Sequence, residues 1–324
     1  VKRLGVIGSF VWDIIHGRDP SQETVEEWGG ITYALSAFGA ALPNDWEIVP
    51  LARVGRDLAP QARAFMTRLR RIAADARPIE VDQRNNRVEL RYISAERRSE
   101  VLSGGVPPWT WLGLKPLLRG LDALYINLIS GFELDLETCR LIRQTFHGPI
   151  YCDMHSLLLA VQPDGLRTPR PLEEVESWLR CFDLVQVNED EMAMMAPDPM
   201  ALAAMAMDAG VASLMVTLGS RGVVYVNAPG FERLSDLARR GAGASMSHAV
   251  RTALVAPPAS RVKRSDEDPT GCGDVFGATI FTRLVCGDTF ADALHAALRA
   301  AVRNLEFRGA SGLVHHLRGE IIPT

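Results

Sequence analysis

Cysteine is scarce and unpaired in this chain of 324 residues. Its five cysteines, Cys139, Cys152, Cys181, Cys272 and Cys286, are an odd, scattered set without a Cys-x-x-Cys pair. That excludes a disulfide framework and a cysteine zinc site, and fits the reduced thiols of a cytoplasmic protein. Excess positive charge is also missing. A net charge of −4 and an isoelectric point near 6.0 argue against a nucleic-acid partner. No apolar run is long enough to span a bilayer, so no membrane partner is expected. The opening Val1-Lys2-Arg3-Leu4 lacks the apolar core and small-residue cleavage site of a signal peptide. There is no Gly-x-x-x-x-Gly-Lys-Ser/Thr, which excludes a P-loop, and no His-Glu-x-x-His. Internal repeats and low-complexity tracts are absent too.

What is present is ordinary for a globular chain: 47% hydrophobic and 23% charged residues, enough for a large core. Short apolar strands are expected at Leu4–Ile7, Trp46–Val54, Ala123–Ile126, Ile150–Asp153, Leu184–Val187 and Leu214–Leu218. Helical segments are expected at Thr32–Phe38, Pro60–Ala73, Leu136–Phe146, Leu172–Leu179, Met200–Ala209 and Phe290–Leu305. This alternation predicts an α/β fold with a mostly parallel sheet covered on both faces. Gly222–Val226 reads as an antiparallel strand and Thr252–Ala256 as another, while Phe231–Ser247 resists assignment and its Gly241–Ser245 part reads as a loop. Val88, Leu90 and Tyr92 alternate with Arg87, Glu89 and Arg91, a period of two that marks a half-solvated strand. That stretch, with the polar segment before Gly29, predicts a small antiparallel sheet projecting from the body.

The chemistry concentrates near the C-terminal end, at Asp268-Pro269-Thr270-Gly271-Cys272-Gly273-Asp274. Glycines permit a tight turn, and the apolar run from Val275 reads as a helix whose first N–H groups face back to an anion. Asp274 puts a carboxylate at the same point, which suits a base or a cation ligand. A first-turn carboxylate favouring the helix dipole is the plain alternative. A dinucleotide fingerprint fits poorly, because no strand ending in an acidic ribose ligand follows. Asn188-Glu189-Asp190-Glu191 follows an apolar strand and could position hydrated Mg²⁺, or cap a helix. Thr217-Leu218-Gly219-Ser220-Arg221-Gly222 could meet a nucleotide phosphate, or form a β-turn. Asp13, with Gly29-Gly30, could accept hydrogen bonds from adjacent hydroxyls while the glycines let a ligand approach. His315-His316 and the Met192, Met194, Met195 group read as surface and core respectively.

Taken in order, these motifs resemble the ribokinase-like, PfkB-type carbohydrate kinases. The likeness runs over nearly the whole chain, through Asp13, Gly29-Gly30, Arg53-Val54-Gly55-Arg56-Asp57, Asn188-x-x-Glu191, Thr217-x-Gly219 and Asp268–Asp274. It implies a three-layer α/β/α domain spanning residues 1–324, with a discontinuous β-lid from about residues 12–28 and 84–104. It also implies ATP as donor, Mg²⁺ as cofactor with a monovalent cation as a further candidate, a small-molecule acceptor, and a homodimer through the lid. Asp274 would then be the general base, and Gly271, Cys272 and Gly273 the anion hole. Asn188 and Glu191 would hold Mg²⁺ through water. Thr217, Gly219 and Gly222 would line the nucleotide site, with Asn304 near the adenine. Asp13, Gly29 and Gly30 would bind the acceptor. Two departures stand out: Cys272 where the family commonly has Ala, and Ala34, with Tyr33 beside it, where an Asn is often found after the glycine pair. The second leaves the acceptor open between a sugar, a sugar phosphate and a nucleoside. A non-catalytic sugar or nucleotide sensor is the alternative from another class.

Overall fold

The first strand, β1 (Lys2–His16), is fifteen residues long, far beyond the short Leu4–Ile7 strand that the apolar run predicts. Its burial pattern explains the length. Leu4 through Val11 are buried without interruption, then buried and half-buried residues alternate from Trp12 to His16. The first half is therefore covered on both faces and the second half on one. The computed structural model describes residues 1–16, 23–92, 98–237, 249–260 and 267–320. The unassigned Phe231–Ser247 stretch falls largely outside these, including the Gly241–Ser245 loop.

The first half of β1 pairs in parallel with β3 (Trp46–Gly55) and β7 (Ala123–Asn127). The sheet continues from β7 through β8 (Ile150–Asp153), β11 (Leu184–Asn188) and β12 (Ser213–Thr217), all parallel. Beyond β12 come the antiparallel β13 (Val223–Asn227) and β14 (Arg251–Val255). On the far side, β3 carries a short parallel strand, β4 (Ile79–Val81). Side chains alternate between two cores. Val6, Tyr125, Tyr151 and Met215 join the helices Ile31–Ala41, Cys272–Val285 and Phe290–Leu305 on one face. Ile7, Ile126, Cys152, Val185 and Leu214 join Leu136–Thr145 and Pro199–Asp208 on the other. This is the three-layer α/β arrangement.

The second half of β1 pairs antiparallel with β2 (Val25–Gly30) and parallel with β5 (Asn86–Tyr92), which pairs antiparallel with β6 (Arg98–Ser103). One strand thus belongs to both sheets and fixes their relative position. Val11, Ile15, Val88, Leu90, Leu102 and Ile129 form a separate apolar cluster beneath the small sheet.

Two elements differ from expectation. The helix Ala59–Arg68 stops short of Ala73, because Leu69 turns to extended backbone with ψ 143°; past Arg71, at φ 67°, the chain bonds to β3 through Ile48 and Ala73 (2.9 Å). A hairpin of β9 (Leu159–Val161) and β10 (Arg167–Pro169) was not foreseen. It docks on the small sheet through a bridge between Val101 and Leu166. Among the described residues no helix is long and apolar enough to cross a membrane.

Candidate active site

A cavity of about 350 Å³ opens where the carboxyl ends of the parallel strands face the small sheet. It gathers Asp13 and Gly30, Asn188 and Glu191, Thr217, Gly219 and Gly222, and the whole run Pro269–Asp274.

The turn is built from inside the sequence. Thr270 N–H donates to the Asp268 carboxylate (3.0 Å), and Cys272 N–H donates to Pro269 O (3.2 Å). Gly271 caps the helix Cys272–Val285 with φ 77°. A side chain there would be strained in its backbone and would also meet the Tyr33 ring, 2.1 Å from the position of its Cβ. Val275 N–H closes the first helical bond on Gly271 O (2.9 Å). Of the three residues Gly271, Cys272 and Gly273, Cys272 thus has its N–H engaged within the turn. Gly277 lets the helix lie close on the sheet, since a Cβ would sit 2.7 Å from the Tyr125 hydroxyl and the Gln186 side-chain oxygen.

Asp274 accepts from Asn127 Nδ2. Asn127 ends β7, is fully buried, and its Oδ1 has no hydrogen-bond partner among the described residues. Asn127, Asp153 and Gln186 stand in register on the adjacent strands β7, β8 and β11, and so share one face. Gln186 accepts from the Tyr151 hydroxyl and donates to Asp153 (2.9 Å) and to Gly273 O (3.1 Å). It ties the sheet to the turn.

Asn188 and Glu191 reach the cavity and also form a capping box on the helix Glu189–Met195. Glu191 N–H donates to Asn188 Oδ1 (2.8 Å), and Asn188 N–H returns to Glu191 (2.7 Å). The cap and the cavity position are compatible. Beside them His155 Nδ1 lies 3.2 Å from Glu191. Burial works against a charged imidazole, but the hydrogen bond and charge of Glu191, with Asp153 and Asp274 behind, carry His155 up to about 10. Burial pushes Asp153 well above the usual carboxylate range.

Further along the sheet, Thr217 ends β12, and Gly219 and Gly222 take φ values of 57° and 101°. A Cβ on Gly222 would meet Val255 O at 2.1 Å. Asn304 is not in the cavity. It is fully buried and donates to Thr270 O (2.8 Å) and Cys272 Sγ (3.3 Å), so it braces the turn from behind. Cys272 also reaches Ala301 O (3.4 Å), and burial pushes its thiol to about 12.

On the opposite side, Asp13 is buried in the second half of β1. Gly29 runs antiparallel beside it, and a Cβ there would lie 1.8 Å from Asp13 Oδ2. Gly30, φ 59°, caps the helix Ile31–Ala41. Tyr33 is buried among carboxylates. Burial first, then the charges of Asp13, Asp268, Asp274 and Glu27, hold its phenol well above the usual range. Arg167, from β10, is buried at the cavity wall. It donates to Glu100 of β6 (3.3 Å), Ser156 (3.1 Å) and the Ile129 carbonyl (3.0 Å). Sequence reading missed Asn127, His155, Arg167 and Gln186 as site residues. The polar Gln186 inside an otherwise apolar strand was the one visible signal.

A model of the pfkB family of carbohydrate kinases matches residues 151–316, about half of the chain; the chain belongs to that family. Solved structures extend the fold likeness over the whole length. The ribokinase of Thermotoga maritima superposes with a TM-score of 0.66 at 16% identity, covering 98% of both chains. A sulfate complex of a pyrophosphate-dependent kinase in the ribokinase family gives 0.68 at 14%, covering 95% of this chain and 96% of the other. The nucleoside kinase of Burkholderia thailandensis in complex with inosine gives 0.67 at 14%, covering 96% and 94%. No curated protein matches the chain.

Proposed function

We propose that this chain is an ATP-dependent kinase that phosphorylates a hydroxyl, expected to be a primary alcohol, of a sugar or sugar-like molecule. The observation that carries the reading is the position of Asp274. Its carboxylate, oriented by Asn127, starts the helix behind the glycine turn and shares one cavity with Asp13 and Gly30 on one side and Thr217 and Gly219 on the other.

Asp13 would hold acceptor hydroxyls, with Gly29 and Gly30 leaving room for them. Asp274 would take the proton of the attacking hydroxyl. The N–H groups of Gly271 and Gly273 would meet the charge on the transferred phosphoryl group. Thr217, Gly219 and Gly222 would line the nucleotide. Asn188 and Glu191 present oxygen donors suited to hydrated Mg²⁺, which when bound neutralises phosphate charge. A nucleoside acceptor is the second reading, and of the two rings that could meet its base Tyr33 lines the cavity. Trp12 packs edge-on against Trp28, 5.1 Å between centroids, donates to Glu26 (2.8 Å), and does not line the cavity.

The test is a screen of sugars, sugar phosphates and nucleosides for phosphorylated product. ATP and pyrophosphate serve as alternative donors, and Asp274→Asn runs alongside. Turnover should fall by ~10²–10⁴-fold in the variant while nucleotide binding is retained. Near-normal turnover in Asp274→Asn would remove the assigned base. Product with pyrophosphate and none with ATP would replace the donor.

A further inference from the structure

Three side chains beside the turn form a set of ligands that shares Glu191 with the Asn188 pair but adds a second carboxylate and an imidazole. Asp153, His155 and Glu191 each bring one ligand atom within 4.8 Å of the other two. They come from separate elements: the end of β8, the turn that follows it, and the first turn of the helix Glu189–Met195. The carboxylates are already oriented from behind. Gln186 donates to Asp153 (2.9 Å), and the backbone N–H of Asn188 donates to Glu191 (2.7 Å). Such outer partners are what a metal ligand needs to hold its aim. His155 is the open member, with 36% of its side chain exposed against 10% for Glu191. Its φ of 29° is a conformation side chains rarely adopt. Flanking bonds from Met154 N–H to Gln186 O and from Ser156 N–H to Leu128 O, both 3.1 Å, hold that turn in place.

A second observation is independent of the cluster. Asn127 stands next to Asp153 in the sheet register. It is completely buried, and its Oδ1 has no partner among the described residues. A buried carbonyl oxygen without a donor is costly unless a cation or its bound water supplies the missing contact.

We propose that Asp153, His155 and Glu191 bind a divalent transition-metal ion directly in the free chain, with Mn²⁺ favoured over Mg²⁺. Mg²⁺ keeps its waters and prefers oxygen. One imidazole nitrogen with two carboxylates shifts preference along the divalent series towards Mn²⁺ and its heavier neighbours. The ion's use in turnover rests on the kinase reading above, whereas its binding to the free chain does not.

The experiment titrates the purified, metal-stripped full chain with Mn²⁺ in the absence of nucleotide, followed by electron paramagnetic resonance and calorimetry, with Mg²⁺ as competitor. The expected result is one Mn²⁺ per chain, displaced only by a large excess of Mg²⁺. Pulsed resonance should show modulation from a directly bonded ¹⁴N. His155→Asn should abolish the nitrogen modulation and weaken Mn²⁺ binding at least tenfold, with circular dichroism showing it folded. The wild-type nitrogen signature needs no variant, so a poorly folded His155→Asn leaves the proposal testable. Absence of stoichiometric Mn²⁺, or bound Mn²⁺ without nitrogen modulation, overturns it. Nitrogen-ligated Mn²⁺ in a chain that phosphorylates no acceptor would uphold this site and sink the kinase reading. Mg²⁺-dependent turnover with no Mn²⁺ site would do the reverse.

Discussion

Gly29→Ala adds a single methyl group, and the structure says where it must go. The ideal Cβ lies 1.8 Å from Asp13 Oδ2, 2.3 Å from Cγ and 2.6 Å from Oδ1. Ordinary contact begins near 3.4 Å, so the carboxylate has to retreat by roughly 1.5 Å. Gly29 is not among the positive-φ residues, so the backbone accepts alanine and the clash alone decides the outcome. Asp13 is 6% exposed and has little space in which to swing. If it holds acceptor hydroxyls, the shift breaks one charge-assisted hydrogen bond. Such bonds contribute about 1.5–3 kcal/mol each, so kcat/KM for the acceptor should fall roughly 10- to 150-fold. Donor KM should stay within about twofold, because Thr217, Gly219 and Gly222 lie on the other side of the cavity. Gly105→Ala is the control: its Cβ would meet only Gln83, at 3.5 Å, and its kinetics should match wild type. The assay is steady-state kinetics with the acceptor found by screening, varying each substrate at saturation of the other. Unchanged acceptor kinetics in a folded Gly29→Ala would refute the assignment of Asp13 to the acceptor.

Three more perturbations separate structural support from chemistry. Asn304→Ala leaves Thr270 O without its buried donor and should cost about 1–3 kcal/mol of stability. Melting curves should show this loss together with a slower phosphoryl-transfer step; an unaltered melt would remove Asn304 as the brace of the turn. Arg167→Met removes the guanidinium that meets Glu100, Ser156 and the Ile129 carbonyl in the joint between β10 and β6, where the arginine is 3% exposed, and should cost ~1–3 kcal/mol through the buried acceptors it leaves. Adding Glu100→Gln should recover part of that loss in denaturant titrations, and no recovery would show that the pair is not the cause. In the native chain Cys286, which is exposed, should be alkylated first, while Cys139, Cys152 and Cys181 are buried and Cys272 is held protonated at about 12 by burial. Peptide mass mapping after iodoacetamide at pH 8 checks the order, and early labelling of Cys272 would contradict the packing around the turn.

The body of the sheet was legible because its signals are local. Runs such as Ala123–Ile126 and Leu184–Val187 are short, apolar and bounded by turns, and each became a strand within a residue or so. The long β1 was not legible past Ile7. Gly8 and Ser9 look like a turn in sequence, but Gly8 is glycine for a packing reason: a Cβ there would lie 2.5 Å from Ile31 Cδ1. The β9–β10 hairpin escaped because its three-residue strands have no period to read. Its place is set by Arg167 and Leu166 meeting the small sheet, contacts over more than sixty residues of separation.

The site divides along the same line. One part of the cavity rests on contiguous glycine motifs, so Gly271, Gly219 and Gly222 could be picked out by type and spacing alone. The rest of its wall is assembled from β1, β2, the start of the helix Ile31–Ala41, β5, β6, the loop after β7, and β10. No spacing rule links those segments. Tyr33 shows how the two parts meet. In sequence, Tyr33-Ala34 marks a change on the acceptor side. In space the Tyr33 ring, next in sequence to Ala34, lies directly against Gly271, so a residue at the start of the helix Ile31–Ala41 also sets the floor of the glycine turn. Enlarging the ring's neighbour is forbidden by contact, and removing the ring would open a void under the turn. The start of the helix Ile31–Ala41 and the turn before the helix Cys272–Val285 are thus coupled by direct packing across more than two hundred residues of sequence, a contact that no local pattern announces.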